Sequence, residues 1–145
     1  MSLQVFPIEF ASDEYDAYIA LRDRILRKPL DLEFSAEELS DESEMFHFGV
    51  YQKSNIIACF VLVDLNDGLI KMRQVAVDET YQNKGIGTLM VNYCEAWCML
   101  HAYKKIVLNA RIPAVAFYTK NKYNKTGKEF IEVGIPHQKM EKKLT

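Results

Sequence analysis

Arg73-Gln74-Val75-Ala76-Val77-Asp78-Glu79-Thr80-Tyr81-Gln82-Asn83-Lys84-Gly85-Ile86-Gly87 runs from a strand pattern into a helix pattern through a glycine-bearing turn. Upstream, Leu69, Lys71, Arg73, Val75 and Val77 alternate with Ile70, Met72, Gln74 and Ala76, the period of a strand. Downstream, Ile86, Leu89, Met90, Tyr93, Cys94, Trp97 and Leu100 recur at helical spacing. A helix opening directly from such a turn gathers unpaired backbone N–H groups at the positive end of its dipole, and that is an anion site. Gly85 and Gly87 carry no side chain, so a pyrophosphate can approach the backbone closely, and Lys84 adds a positive charge nearby.

Two common phosphate motifs fail on the same residues. A Walker turn needs Gly-Lys-Ser/Thr after a longer glycine loop, whereas the order here is Lys84-Gly85. A dinucleotide fingerprint needs a third glycine, but Met90 occupies that place and no βαβ unit surrounds it.

Working outward, Val5 to Phe10 suits a first strand. Asp13 reads as the N-cap of a helix carrying Tyr15, Tyr18, Ile19, Arg22, Ile25 and Leu26, which Pro29 stops. Residues 31–45 are acidic and read as a mobile connection, with Ser35 capping a short helix over 36–39. Residues 46–51 and 56–65 form a hairpin through Gln52-Lys53-Ser54-Asn55, and Asn66-Asp67-Gly68 turns the chain into a third antiparallel strand over 69–77. After the long helix come a buried strand over 105–110, a second helix from Pro113 to about Asn121, and two last strands over 126–133 and 137–144. Meander, helix, strand, helix, hairpin is an α+β order. It predicts a central mixed, mostly antiparallel, twisted sheet of about six or seven strands flanked by about four helices.

At 145 residues the chain has the length of one domain, taken here as 1–145. No apolar run reaches the roughly eighteen residues of a membrane span. Met1-Ser2-Leu3-Gln4 lacks the regions of a secretory signal, so the expected location is cytoplasmic; Met1-Ser2-Leu3 reads equally as a cloning remnant. Cys59, Cys94 and Cys98 are an odd set without CxxC spacing and read as reduced core residues, with no metal site expected. A net charge of -2 argues against general nucleic-acid binding. The charge is nevertheless uneven: residues 1–100 hold 8 Lys/Arg against 17 Asp/Glu, and 101–145 hold 10 against 3. That basic last third suits a compact polyanion such as a nucleotide cofactor, or is simply a solvated surface.

The chain resembles the Gcn5-related N-acetyltransferase superfamily, whose signature Gln/Arg-x-x-Gly-x-Gly/Ala follows an R-x-x-A-V strand, here Gln82 to Gly87 after Arg73 to Val77. Ala114-Val115-Ala116-Phe117-Tyr118-Thr119-Lys120-Asn121-Lys122-Tyr123 is similar to that superfamily's A-x-x-F-Y-x-K-x-G-Y helix. Glu132-Val133-Gly134-Ile135-Pro136-His137-Gln138-Lys139-Met140 is similar to the E-x-G-I-P-H-x-x-M hairpin of its ElaA-like branch. The likeness covers residues 45–145 well and the first 45 in outline. Two residues depart from the pattern: Lys122 stands where Gly is usual, and Arg111 where many relatives have a cofactor-touching Asn.

The resemblance implies an acetyltransferase that moves the acetyl group of acetyl-CoA to a primary amine, on a small molecule before a peptide or protein, by direct attack in a ternary complex. It assigns cofactor contacts to Val75, Ala76 and Val77 on the strand, to Gln82, Asn83, Lys84, Gly85, Ile86, Gly87 and Thr88 on the turn, and to Tyr118. Tyr118 is the expected general acid, since a phenol with a pKa of about 10 stays protonated where a thiol of about 8.5 departs. A backbone N–H at Val75 is the expected oxyanion donor, on a strand that should bulge and splay from its neighbour. The base is open between His137, His47 and a water relay, and Arg73, His47 and Glu132 are candidates to line the acceptor pocket. The acidic stretch favours a cationic acceptor while Arg22, Arg24 and Arg27 favour one with a carboxylate, so the acceptor stays open. A non-catalytic acyl-CoA sensor on the same fold is the alternative, and either a monomer or a homodimer is compatible with the sequence.

Overall fold

Backbone choices at a few turns set the sheet, and the computed structural model describes them over residues 2–144. Met1, whose origin the sequence leaves open, and Thr145 lie outside the described residues. Strands β1 (Gln4–Ile8), β2 (Phe46–Gln52), β3 (Asn55–Asp64) and β4 (Leu69–Val77) pair antiparallel in succession. Asn66, Asp67 and Gly68 all take positive φ between β3 and β4, a run that Asn, Asp and Gly tolerate at least cost. The Gly68 carbonyl then accepts the Lys104 and Lys105 N–H groups, at 2.7 and 3.2 Å, which ties down the start of β5 (Lys105–Arg111). Helix α3 (Ile86–Leu100) carries the chain from β4 to β5, the one parallel pair among the described strands.

Helix α4 (Val115–Lys120) and strands β6 (Asn124–Lys125), β7 (Phe130–Glu132) and β8 (Ile135–Lys143) complete the order β1-β2-β3-β4-β5-β8-β6, with β7 paired to β8. The α+β expectation of a mixed, mostly antiparallel sheet holds. Of the single strand expected over 126–133 only Phe130–Glu132 forms, preceded by the two-residue strand Asn124–Lys125. Gly127 turns left-handed between them, and the Gln138 side-chain amide donates to the Thr126 and Gly127 carbonyls, at 3.1 Å each, in place of a ladder. Pro136 lies inside β8 rather than in the turn, opposite Ile131.

Apolar residues segregate onto the two faces of the sheet. On one, Phe60, Leu62, Ile70 and Met72 pack against Ile86, Met90 and Cys94 of α3. On the other, Cys59, Val61 and Ala76 pack against Tyr18 and Leu21 of α1 (Asp13–Arg22). Ser12, not Asp13, caps α1, accepting the Tyr15 N–H at 3.2 Å. Nor does Pro29 end the helix directly. The coil widens to a π turn over Asp23–Arg27, tightens to a 3-10 turn over Lys28–Leu30 that includes Pro29, and stops at left-handed Asp31.

The acidic segment expected to be mobile is anchored. Ser35 and Glu38 form a reciprocal capping box on α2 (Ala36–Ser40), and buried Glu42 accepts both terminal nitrogens of Arg22, at 2.7 and 2.5 Å, and the Tyr15 hydroxyl at 2.8 Å. His47 belongs to this network. Its Nε2–H donates to the Glu42 carbonyl at 2.9 Å, so its Nδ1 accepts the Tyr18 hydroxyl at 2.7 Å. Burial lowers the His47 pKa, which keeps the ring neutral.

Burial alone would raise the Glu42 carboxyl, but Arg22 and Tyr15 outweigh it and hold its pKa below the ordinary value. A depressed carboxylate stabilises the fold above its unfolded pKa of about 4.3, and that contribution is lost as pH falls through the folded pKa. Glu42→Gln should therefore cost about 3–5 kcal/mol at pH 7 by denaturant unfolding, because Arg22 is left buried without its anion. The gap between variant and wild type should narrow as pH falls below 4; a variant within 1 kcal/mol at pH 7 contradicts the anchor.

Candidate active site

The site begins with a count of residues. Met72 faces Leu62 and Arg73 faces Val61 across the β3–β4 ladder, but the next pair is Ala76 with Cys59. Gln74 and Val75 therefore oppose the single residue Phe60, and Gln74 takes φ 53° to fit the extra residue. One added residue exchanges the faces of everything beyond it. Val75 and Val77 pack on the α3 side and Ala76 on the α1 side, reversing the simple alternation read from residues 69–77.

The same strand leaves its other neighbour. β4 pairs with β5 only from Leu69–Lys105 to Met72–Leu108, after which β5 runs on beside β8 alone. The wedge so opened is a cleft of about 770 Å³. It reaches from the turn after β4, past the first turn of α3 and Tyr118, to Glu132 and His137.

At one end, Asp78 Oδ1 accepts the Thr80 N–H at 2.9 Å and its hydroxyl at 2.8 Å, and Arg24 braces the other Asp78 oxygen at 2.7 Å. The Gln82 side chain donates back to the Val77 carbonyl at 3.0 Å. Asn83 and Gly85 take positive φ, curling the loop into α3, and no side chain caps the helix at Gly85. A Cβ at Gly85 would meet nothing within 4 Å, so this end of the cleft is open in front of uncapped amides. Those features fit a pyrophosphate. Gly87 lines the cleft and carries a second constraint: a Cβ there would lie 3.0 and 3.2 Å from the Phe117 ring, so its absence also lets α4 pack on α3. Lys84 is exposed and outside the cleft lining, its ammonium 5.8 Å from the Tyr81 ring centroid.

In the wall, Tyr118 is 6% exposed and its hydroxyl makes no hydrogen bond to a described residue. Burial, with Cys94 adding to it, raises the phenol above its ordinary pKa, so it keeps its proton at neutral pH. Past α4, Lys122 adopts φ 75°, a left-handed ending on a non-glycine residue.

The far end is polar. His137, 3% exposed, donates Nδ1–H to the Ile135 carbonyl at 2.9 Å, leaving Nε2 as the free nitrogen, 3.6 Å from a Glu132 carboxylate oxygen. Arg73 lines the cleft as expected. His47 does not; it lies in the α1–Glu42 network, which corrects its candidacy as base or acceptor contact. Lys71 and Asn109 also line the cleft and were not singled out from the sequence; Arg27, read there as a cue for a carboxylate, and Arg111, noted as standing in place of Asn, line it too. For Lys71 the signal was present, since it precedes Arg73 by two on the same strand face. Among the described residues, no group of three or more His, Cys, Asp or Glu is arranged to hold a metal.

Comparison with known proteins agrees with this geometry. Residues 23–144 match the acetyltransferase (GNAT) domain family. The chain is 31% identical over 107 residues to the uncharacterized N-acetyltransferase YjcF of Bacillus subtilis, covering 73% of this chain and 74% of that one. Among solved structures it superimposes on an N-acetyltransferase candidate from Lactobacillus plantarum with a TM-score of 0.87 at 20% identity, over 100% of both chains. Escherichia coli ElaA gives 0.81 at 16% identity, over 97% of this chain and 99% of that one. The chain belongs to the GNAT family of acetyltransferases and is an acyltransferase. The family draws its acyl group from acetyl-CoA.

Gly87→Ala should lower stability by about 1–3 kcal/mol through overpacking against Phe117, and Phe117→Leu in the same chain should recover much of it. Gly85→Ala, strained only by its positive φ, should cost about 1 kcal/mol with no such rescue. Denaturant unfolding of the four variants checks both, and additive losses for Gly87→Ala and Phe117→Leu would refute the packing role.

Proposed function

We propose that this enzyme transfers the acetyl group of acetyl-CoA to the primary amine of a small molecule, by direct attack within a ternary complex. The observation that carries this reading is the wedge between β4 and β5, with uncapped helix amides at one end and a polar wall at the other. A cleft open along its length suits two substrates meeting at its middle, where orientation replaces any protein nucleophile.

Val75, Ala76 and Val77, with Gln82, Asn83, Gly85, Ile86, Gly87 and Thr88, are proposed to hold the cofactor, all of them lining the cleft. Val75 has no partner in either flanking ladder, which supports its N–H as the oxyanion donor. In the reaction the amine nitrogen forms a bond to the acetyl carbonyl carbon and the carbon–sulfur bond breaks. The electron pair of that bond leaves on sulfur, which takes the Tyr118 proton; the buried, protonated phenol supports this role. The proton lost by the amine goes to His137 Nε2, whose other nitrogen is already committed as a donor. Solvent exchange then restores Tyr118 and His137.

Tyr118→Phe should lower kcat by about a hundredfold or more in a thiol-release assay, with the affinity for acetyl-CoA little changed. Unchanged turnover with chemistry limiting would remove Tyr118 from the mechanism. Tight acetyl-CoA binding without acceptor-dependent thiol over a broad amine panel would instead leave a CoA-binding module.

A further inference from the structure

Three cations line the polar end of the cleft, Lys71, Arg73 and Arg111, and they share one carboxylate there, Glu132. The fourth lining cation, Arg27, already has its anion, Glu38, at 3.1 Å. Arg111 donates to the Leu26 carbonyl at 2.8 Å, whereas neither Lys71 nor Arg73 makes a side-chain hydrogen bond or salt bridge among the described residues. Glu132 is itself engaged, at 3.4 Å, by Asn109, and one of its oxygens stands 3.6 Å from His137 Nε2. Part-buried cations without partners are costly to maintain, since each loses water and gains no anion. Burial, with Arg73 and Lys139 repelling it, lowers the Lys71 pKa against the pull of Glu132, the mark of a crowded positive patch.

The phosphates of the cofactor do not explain these charges. At about 3.3 Å per strand residue, Arg73 lies roughly 13 Å and Lys71 roughly 20 Å before Val77, where the phosphate turn begins. Both also precede the bulge, and they alternate with Ile70 and Met72, whose face packs against α3. Their side chains therefore stand on the α1 side of the sheet, the side opposite the helix whose N-terminus faces the pyrophosphate.

We infer that the acceptor is an amine that also carries a carboxylate, and that Lys71 and Arg73 bind that carboxylate. Arg73 supplies a fork that matches a carboxylate bidentately and Lys71 a point charge beside it. The Glu132–His137 pair then faces the amine end. This assignment rests on the transferase reading for its setting, but it predicts anion binding that needs no turnover.

The test uses matched acceptors: amino acids with aliphatic, aromatic and basic side chains, their primary amides, and the corresponding decarboxylated amines. Thiol release is measured on the full chain. In parallel, calorimetry follows N-acetyl amino acids and their amides binding to the CoA-loaded protein. The acids should exceed their amides by about tenfold or more in kcat/KM and in affinity. Arg73→Gln, and independently Lys71→Gln, should shrink both ratios toward one while leaving the KM for acetyl-CoA nearly unchanged. Amides or decarboxylated amines that serve as well as the acids would overturn the carboxylate site and leave the transferase reading intact. Arg73-dependent binding of the acetylated acids without thiol release from any amine would uphold the site and overturn transfer. Neither transfer nor carboxylate-dependent binding would overturn both.

Discussion

The extra residue at Gln74 is the constraint on which the rest of the site depends. A strand without it would keep Val75 and Val77 on the face of Lys71 and Arg73 and would have no geometric reason to leave β5. With it, φ 53° at Gln74 turns the chain, Ala76 joins the α1 core, and the ladder to β5 ends at Met72–Leu108. The cost of a left-handed non-glycine residue, about 1 kcal/mol, is offset by apolar packing on both sides of it. Because both faces of the sheet are covered, moving the bulge one residue on would turn the polar Gln74 toward the α3 core in line with Phe60.

A second constraint sets the far wall. Arg22 and Glu42 form a buried pair that joins α1 to the segment after α2, and the Arg111 guanidinium reaches the Leu26 carbonyl in the π turn that follows α1. Such pairs contribute little net stability over apolar packing, yet they punish any arrangement that separates them. Here the arrangement so enforced keeps Ile25, Leu26 and Arg27 at the edge of the cleft. The acidic segment is in this sense a strap held by Glu42, with the Phe34 ring against Arg22 and Arg27 and Met45 packed on the α1-side core.

Much of this was legible in the sequence because local chemistry and global fold agree there. Asn66-Asp67-Gly68 marks a turn that only such residues take cheaply, and the strand it opens, Leu69–Val77, has the bounds its alternation predicts. Gln82 to Gly87 likewise opens α3 at Ile86, where helical spacing begins. The misreadings have a common cause in contacts between distant residues. His47 looks like a strand-end titratable group until Tyr18 and the Glu42 carbonyl claim both its nitrogens. Residues 126–133 look like one strand until the Gln138 side chain takes the carbonyls that a ladder would have used. Gly87, which lines the cleft, carries a packing demand the sequence does not show, since a side chain there would meet the ring of Phe117, thirty positions on. The alternation of residues 69–77 carries no sign of the bulge, since one left-handed Gln leaves no trace in hydropathy; the expectation of a bulging, splayed strand came from the resemblance alone, and the ladders bear it out.

The central claim is that one wedge holds acetyl-CoA with its phosphates at the α3 N-terminus and its thioester at the bulge. The most direct measurement is a titration of nitrogen-15-labelled protein with acetyl-CoA, followed through backbone amide resonances. The account predicts saturable shifts at Gly85, Ile86, Gly87 and Thr88 together with Val75, and none at His47, behind the sheet. Resonances of the turn and of Val75 that stay in place up to millimolar acetyl-CoA would contradict it.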